Sequence, residues 1–333
     1  MTYIATQTVD AKQISISNHI KDLGIDNIRK EIIEGLTAQK KYISSKFFYD
    51  DKGSKLFEKI TSLPEYYPTR TEKGILKAVA PELMSHLKNT DIVELGSGDS
   101  SKITILLKGI NSENIPSINY IPVDVSHSAI QKSAKELIKQ FPDLTINGLV
   151  ADFINQLDLI PYKNKRMFCF LGSTLGNFDE NIATEFLQNL RSNMKVGDKL
   201  LLGVDLVKPL NILQNAYNDK QNVTAEFNKN ILAVVNEIIE SNFNQKDFEH
   251  KAFFNENESR IEMHLVAKRD VTINSPYLKT GLQLKKGEDI FTENSYKFSL
   301  DRIKDIHNSM GLDIKDIYSD ENKWFALILS EKK

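Results

Sequence analysis

Val93-Glu94-Leu95-Gly96-Ser97-Gly98-Asp99-Ser100-Ser101-Lys102 carries an apolar run into an amphipathic one through two closely spaced glycines. Asp91 to Leu95 reads as a strand and Ser100 to Lys108 as a helix. Glycines let the backbone turn sharply there and lie against a ligand without a Cβ in the way. The alternation continues downstream. Ile118 to Val123 reads as a second strand, and Ser128 to Phe141 as a helix with Ile130, Ala134, Leu137, Ile138 and Phe141 at helical spacing. Leu144 to Val150 is a third strand, Met167 to Leu171 a fourth, Asn181 to Met194 a helix, and Leu200 to Leu206 a fifth strand. That last strand is almost wholly apolar, as a strand buried on both faces must be. Strand–helix alternation of this kind predicts βαβ units and a parallel sheet.

The end of the chain breaks the rhythm. A helix near Ser299 to Ser309 is followed by Leu312 to Tyr318 and Trp324 to Leu329, joined by the polar stretch Ser319 to Lys323, which is a hairpin signal. Five parallel strands closed by a C-terminal antiparallel hairpin resemble the Rossmann-like, class I sheet of S-adenosylmethionine-dependent methyltransferases. The expected fold is therefore α/β, with residues 71–206 and 298–333 as the methyltransferase domain. Residues 1–70 look helical and then loop-like. Residues 207–297 begin with a long helical stretch, Pro209 to Glu240, and continue into strands at Lys251–Asn255 and Arg260–Lys268. Residues 1–70 and 207–297 together predict a second, α+β, substrate-binding domain, and a cleft between lobes is a common place for a small substrate.

The glycine turn lacks the third glycine of the dinucleotide fingerprint, because Ser101 stands in its place. A pyrophosphate thus has a weaker claim than adenosine attached to an amino acid. Asp124 ends the second strand, near where an acid grips ribose hydroxyls. Asp152-Phe153 follows the third, where a carboxylate can accept the adenine amino group and an aromatic can cover the ring. Taken singly, each is as readily a tight turn or a solvated loop acid. Their coincidence at successive strand ends, where open α/β sheets bind ligands, is what points to a nucleoside. After the fourth strand comes Leu171-Gly172-Ser173-Thr174-Leu175-Gly176-Asn177-Phe178; the Asn177 amide can both donate and accept, or merely cap the next helix.

Composition narrows the class further. The 333 residues are 41% apolar with a net charge of −2, which disfavours disorder and gives no basic excess for nucleic acid. Six histidines never fall at metal-ligand spacing, and the single Cys169 lies in an apolar run and fits a reducing compartment. No apolar stretch reaches the roughly 18 residues needed to span a bilayer, and Met1 to Ile20 shows no signal-peptide pattern. These features predict a cytoplasmic, metal-independent monomer with neither nucleic-acid nor membrane partners.

Several separate strings resemble the histidine-specific Nα-methyltransferases: Lys46-Phe47-Phe48-Tyr49-Asp50, Gly53-Ser54-Lys55-Leu56-Phe57, Leu63-Pro64-Glu65-Tyr66-Tyr67-Pro68-Thr69-Arg70, Gly172 to Asn177, Ala216-Tyr217-Asn218-Asp219, Ile261-Glu262-Met263 and Thr292-Glu293-Asn294-Ser295-Tyr296-Lys297-Phe298. The resemblance implies that L-histidine is trimethylated on its α-amino group to histidine betaine (hercynine), the first step of ergothioneine biosynthesis. It implies that Tyr49, Gly96, Lys102, Asp124, Asp152 and Phe153 surround S-adenosyl-L-methionine. It also implies that Tyr66, Gly172, Asn177, Tyr217, Met263, Glu293 and Ser295 hold histidine. Asn177 and Tyr217 would take the backbone atoms, Glu293 and Ser295 would read the imidazole, and Tyr49 and Asn177 are the candidate catalytic residues. Tyr49, Tyr66 and Phe57 would face the cation that grows as methyls accumulate.

Other readings remain open on the sequence. The same fold and cofactor serve another free amino acid such as tryptophan, but an indole-accepting relative should lack an acid at position 293. A non-catalytic S-adenosylmethionine-binding regulator would not need a shaped amino-acid pocket. A nicotinamide oxidoreductase lacks support from the glycine pattern and the terminal hairpin. His264, beside Met263, reads as a packed strand histidine.

Overall fold

A computed structural model describes residues 13–20 and 24–333; most of the segment scanned for a signal peptide lies outside them. Along the chain run β1 (Ile14–Asn18), α1 (Gly24–Thr37), α2 (Asp51–Thr61), α3 (Tyr67–Met84), β2 (Thr90–Leu95), α4 (Ser101–Lys108), β3 (Ile118–Asp124), α5 (His127–Gln140) and β4 (Thr145–Val150). There follow β5 (Lys165–Phe170), α6 (Glu180–Asn193), β6 (Lys199–Asp205), α7 (Leu210–Tyr217), α8 (Val223–Ile239), β7 (Phe248–Asn255) and β8 (Arg260–Ala267). The last elements are β9 (Val271–Ile273), β10 (Leu282–Leu284), β11 (Asp289–Tyr296), α9 (Leu300–Ser309), β12 (Leu312–Ser319) and β13 (Phe325–Lys332).

Two compact units divide these elements. The first takes the described residues up to 20, with 70–206 and 298–333; the second takes residues 24–69 and 207–297. In the first, one eight-stranded sheet has the order β1-β4-β3-β2-β5-β6-β13-β12. The strands from β1 to β6 run parallel, β13 is antiparallel to β6, and β12 is antiparallel to β13. Every residue of β2 is buried, as is nearly every residue of β6, which accounts for their continuous apolar runs. Strand order reverses between β2 and β5, so the loops after these two strands part at the switch point where open α/β sheets take ligands.

The sheet has one parallel strand more than the sequence predicts. β1 comes from a segment read as helical, and it pairs with β4 from Ile14↔Ile146 to Asn18↔Val150. Its burial alternates, with Ile14 and Ile16 inside and Ser15 outside, but two apolar residues are too short a pattern to separate from a helix end. Hence the N-terminal residues 13–20 lie in the first unit, whereas the reading grouped 1–70 with the second.

The second unit packs α1, α2, α7 and α8 with a three-stranded antiparallel sheet, β11-β8-β7, and a two-stranded one, β10-β9. The helix expected from Pro209 to Glu240 is two helices. Asp219 breaks it by accepting from the backbone N–H groups of Val223 and Thr224 at 2.9 and 2.8 Å, capping α8, while Asn222 turns at φ +58°. Asp50 plays the same part for α2, accepting from Gly53 N at 2.7 Å, and it also accepts from Asn230 Nδ2 at 2.7 Å. Asp50→Ala is therefore expected to lower unfolding free energy by about 1–2 kcal/mol in urea titration. A loss below a few tenths would mean that water replaces both bonds without cost.

Candidate active site

In the first unit the glycine turn leaves β2 with Gly96 at φ +67°, donating its N–H to Val123 O at 2.8 Å. A Cβ on Gly96 would fill the space 3.4 Å from the Phe153 ring, so turn and aromatic face one another. Phe153 is anchored from behind by Phe170, Phe178 and Phe186, with ring centroids 5.7–6.4 Å away. Asp124 accepts from Gly98 N at 3.0 Å through one carboxylate oxygen and from Ser126 N at 2.9 Å through the other. Each oxygen keeps a second lone pair, enough for a vicinal diol. Asp152 is fixed likewise by Ile154 N and Asn155 Nδ2 at 2.9 and 2.7 Å. Inside the turn, Ser97 Oγ is buried without a protein partner, a polar atom left for a ligand to satisfy.

Lys102, in the first turn of α4, places Nζ 2.8 Å from Glu72 Oε2. The other Glu72 oxygen accepts from Gly172 N at 2.7 Å. Gly172 turns at φ +80°, and a Cβ there would stand 2.7 Å from Lys102 Nζ. Glu72, fully buried on α3, thus ties together the two loops that part at the switch point. Sequence reasoning missed it because an acid in a helix normally faces water. Asn177 ends the short 3₁₀ turn Thr174–Asn177 and is half-buried. Glu94 is also buried, with Tyr120 OH donating to it; burial pushes its carboxyl up to about 8, opposed by Tyr120 and Lys102.

In the second unit Glu293 and Ser295 stand two residues apart on β11, on one face of the strand, and Met263 of β8 pairs opposite Glu293. All three are buried, Glu293 at 9% exposure. Tyr217, at the end of α7, donates its hydroxyl to Ser295 Oγ at 2.7 Å. A row of rings leads away from it: Tyr66 lies 6.3 Å from Tyr217, Phe57 6.4 Å from Tyr66, and Tyr49 5.7 Å from Phe57. Tyr49, Tyr66, Tyr217, Met263, Glu293 and Ser295 are therefore neighbours within this unit, while Gly96, Lys102, Asp124, Asp152, Phe153, Gly172 and Asn177 border the strand ends of the first.

Electrostatics distinguish Glu293 from Tyr49. Burial pushes the Glu293 carboxyl up to about 7, with Lys297 pulling the other way. Tyr49 keeps 47% of its surface exposed, yet shielding of the hydroxyl raises its phenol well above the ordinary value, and Glu293 and Tyr217 add to this. Tyr49 is a neutral phenol at pH 7, able to exchange hydrogen bonds but not to serve as a phenolate base. Lys297 is buried at 1% exposure and has no role of its own in the sequence reading; its place four residues after Glu293, in phase with Ser295, is the available signal. His264 packs against Phe253 and Phe291 with Glu262 and Asp289 beside it. Among the described residues no group of His, Cys, Asp and Glu is arranged to hold a metal ion, and no helix is long and apolar enough to cross a membrane.

A glycine turn at the switch point, acids after the next two strands and an antiparallel pair closing a parallel sheet define a Rossmann-like S-adenosylmethionine-dependent methyltransferase fold. The family described as "Histidine-specific methyltransferase, SAM-dependent" matches residues 28–332, and the chain belongs to it. It is 38% identical to the histidine N-alpha-methyltransferase of Mycobacterium tuberculosis, over 96% of this chain and 100% of that one. It is 31% identical to ergothioneine biosynthesis protein 1 of Schizosaccharomyces pombe over 77% of this chain, which spans about a third (34%) of that longer protein. A 4-dimethylallyltryptophan N-methyltransferase of Penicillium roqueforti is 27% identical, over 95% of each chain.

Proposed function

We propose that this protein transfers methyl groups from S-adenosylmethionine to the α-amino nitrogen of L-histidine, three times over, yielding histidine betaine (hercynine) for ergothioneine biosynthesis. The observation that carries the reading is a buried carboxyl group and hydroxyl on one face of β11, Glu293 paired opposite Met263 and Ser295 opposite Ile261. A pocket for an apolar ring has no use for them, and an imidazole has an N–H and an acceptor nitrogen to meet them. The reading includes action as a cytoplasmic monomer without metal, nucleic acid or membrane.

In this reading the roles divide between the two units. Asp124 takes the ribose hydroxyls, Asp152 and Phe153 the adenine, and Gly96 the close approach of the nucleoside, with Lys102 held beside them by Glu72. Asn177 and Tyr217 take the amino acid's backbone atoms, as the resemblance implies. The bound sulfonium supplies an electrophilic methyl carbon. An attacking amine needs its lone pair free and aligned, so positioning supplies most of the rate. The free α-amino group is mostly protonated at neutral pH and must lose a proton to water or a nearby acceptor before each transfer. Tyr49 orients the amine by hydrogen bonding and, with Phe57 and Tyr66, faces the growing cation.

The test is cofactor turnover measured with each of the twenty free amino acids. Histidine is expected to dominate; a preference for tryptophan would replace it with the indole reading, and binding without turnover would leave a regulator.

Histidine affinity should also depend on pH through Glu293. Its carboxyl titrates near 7 when folded against an ordinary value of 4.5. As pH falls through about 7, Glu293 takes up a proton and loses the charge that makes it a strong acceptor, so binding weakens by up to about tenfold between pH 8 and pH 6. Stability moves the other way: between about 4.5 and 7 the folded chain holds a proton the unfolded chain has lost, so this group's contribution falls as pH rises. Calorimetry with Glu293→Gln, where this pH slope should vanish beyond the titration of histidine itself, checks the assignment.

A further inference from the structure

Lys297 is buried at 1% exposure in the second unit, and its ammonium has unusual company. Nζ donates to Ser295 Oγ at 2.7 Å and to Tyr217 OH at 3.1 Å, and lies 5.1 Å from the centroid of the Tyr217 ring. Its backbone is pinned on both sides: the N–H donates to Ser259 O at 2.7 Å, and its carbonyl accepts from Ser259 Oγ at 3.1 Å. Burying an ammonium is costly unless it is paired and hydrogen-bonded, so a lysine on this face calls for a reason beyond filling space.

The reason lies in the protons of Ser295. A hydroxyl has two acceptor lone pairs and one donor. An ammonium has three donors and no acceptor, so toward both oxygens Lys297 can only donate. Between the two oxygens the phenol is the more acidic, and Tyr217 donates to Ser295 at 2.7 Å. Both lone pairs of Ser295 are then occupied, and its proton has to go to something else. Two residues back on the same face, Glu293 as a carboxylate can only accept.

We propose that Lys297 is a positioning residue for substrate selection: together with Tyr217 it fills the lone pairs of Ser295 Oγ, so that Ser295 presents a fixed donor beside the fixed acceptor Glu293, and the pair reads a neutral imidazole with one N–H and one bare nitrogen. The proposal rests on histidine being the substrate. It assigns the discrimination to direction as well as to presence of the two groups. A ring with an N–H but no second nitrogen leaves the Ser295 proton unmet, and Lys297 is what prevents that proton from turning aside to Tyr217.

The experiment compares L-histidine with the two carbon-linked pyrrolylalanines, which keep a ring N–H and lack the acceptor nitrogen. Affinities are measured by calorimetry in the wild type, Lys297→Met and Ser295→Ala. In the wild type, histidine should bind at least about tenfold more tightly than the better pyrrole, the cost of a stranded buried donor. In Lys297→Met the Ser295 hydroxyl can turn to Tyr217, and the ratio should collapse to within about threefold. A purely structural role would weaken both ligands together and leave the ratio intact; that result overturns the proposal. If Lys297→Met does not fold, Ser295→Ala carries the test with Lys297 in place: the ratio should fall toward one, and an unchanged ratio overturns the donor assignment. A wild-type chain that takes up no histidine overturns the functional reading and this proposal with it, whereas histidine binding with no preference over pyrrole overturns the proposal alone.

Discussion

Alanine at position 293 is expected to weaken L-histidine binding by about a hundredfold and to leave S-adenosylmethionine affinity within about twofold. Glu293 is a buried acceptor on β11, and a ring N–H donated to it makes a charge-assisted bond worth about 1.5–3 kcal/mol. Removing the carboxylate deletes that bond and leaves the imidazole N–H without its charged acceptor. The effect stays with histidine because the polar groups around Glu293, namely Ser295, Tyr217, Lys297 and Tyr49, belong to the same unit, whereas Asp124 and Asp152 belong to the other. Titration calorimetry with each ligand separately measures both constants. Equal losses for the two ligands would remove the selector role from Glu293 and make the substitution a general lesion.

Asp124→Ala is expected to do the converse, weakening S-adenosylmethionine by about a hundredfold with little direct effect on histidine. Two causes add here. The ribose hydroxyls lose a charged acceptor, and Gly98 N and Ser126 N lose the carboxylate that holds them at 3.0 and 2.9 Å, so the glycine turn loosens as well. Asp124→Asn separates these, since a carboxamide keeps one acceptor oxygen and should recover part of the loss. Unchanged cofactor affinity in Asp124→Ala would mean that the end of β3 does not border the nucleoside.

How much of this was legible beforehand varied with the physics of each element. The parallel strands from β2 to β6 and the closing hairpin stood out because burial on both faces forces continuous apolar runs, and because glycines and polar stretches punctuate them. β1 escaped because a five-residue edge strand shows too little alternation to be distinguished from the end of a helix. The break between α7 and α8 escaped because it contains neither Gly nor Pro and depends on the Asp219 side chain, a cap that sequence alone does not separate from a solvated acid.

The site divides in the same way. Asp124, Asp152 and Gly96 could be placed from the residues themselves, since they fall where strands stop. Glu293 and Ser295 could be placed only through resemblance, because an acid on a strand is ordinarily exposed. Glu72, Glu94 and Lys297 were given no site role for that same reason: burial of a charge depends on partners brought together by the fold, here Lys102, Tyr120, and the pair Ser295 and Tyr217.

One determination bears on the whole account: the position of the methyl groups on histidine incubated with this protein and S-adenosylmethionine, read by tandem mass spectrometry over the course of the reaction. The expected result is successive gain of one, two and three methyls, all on the fragment that carries the α-nitrogen. A methyl on either ring nitrogen would contradict it, because Glu293 and Ser295 would then be presenting the imidazole to the donor instead of holding it away.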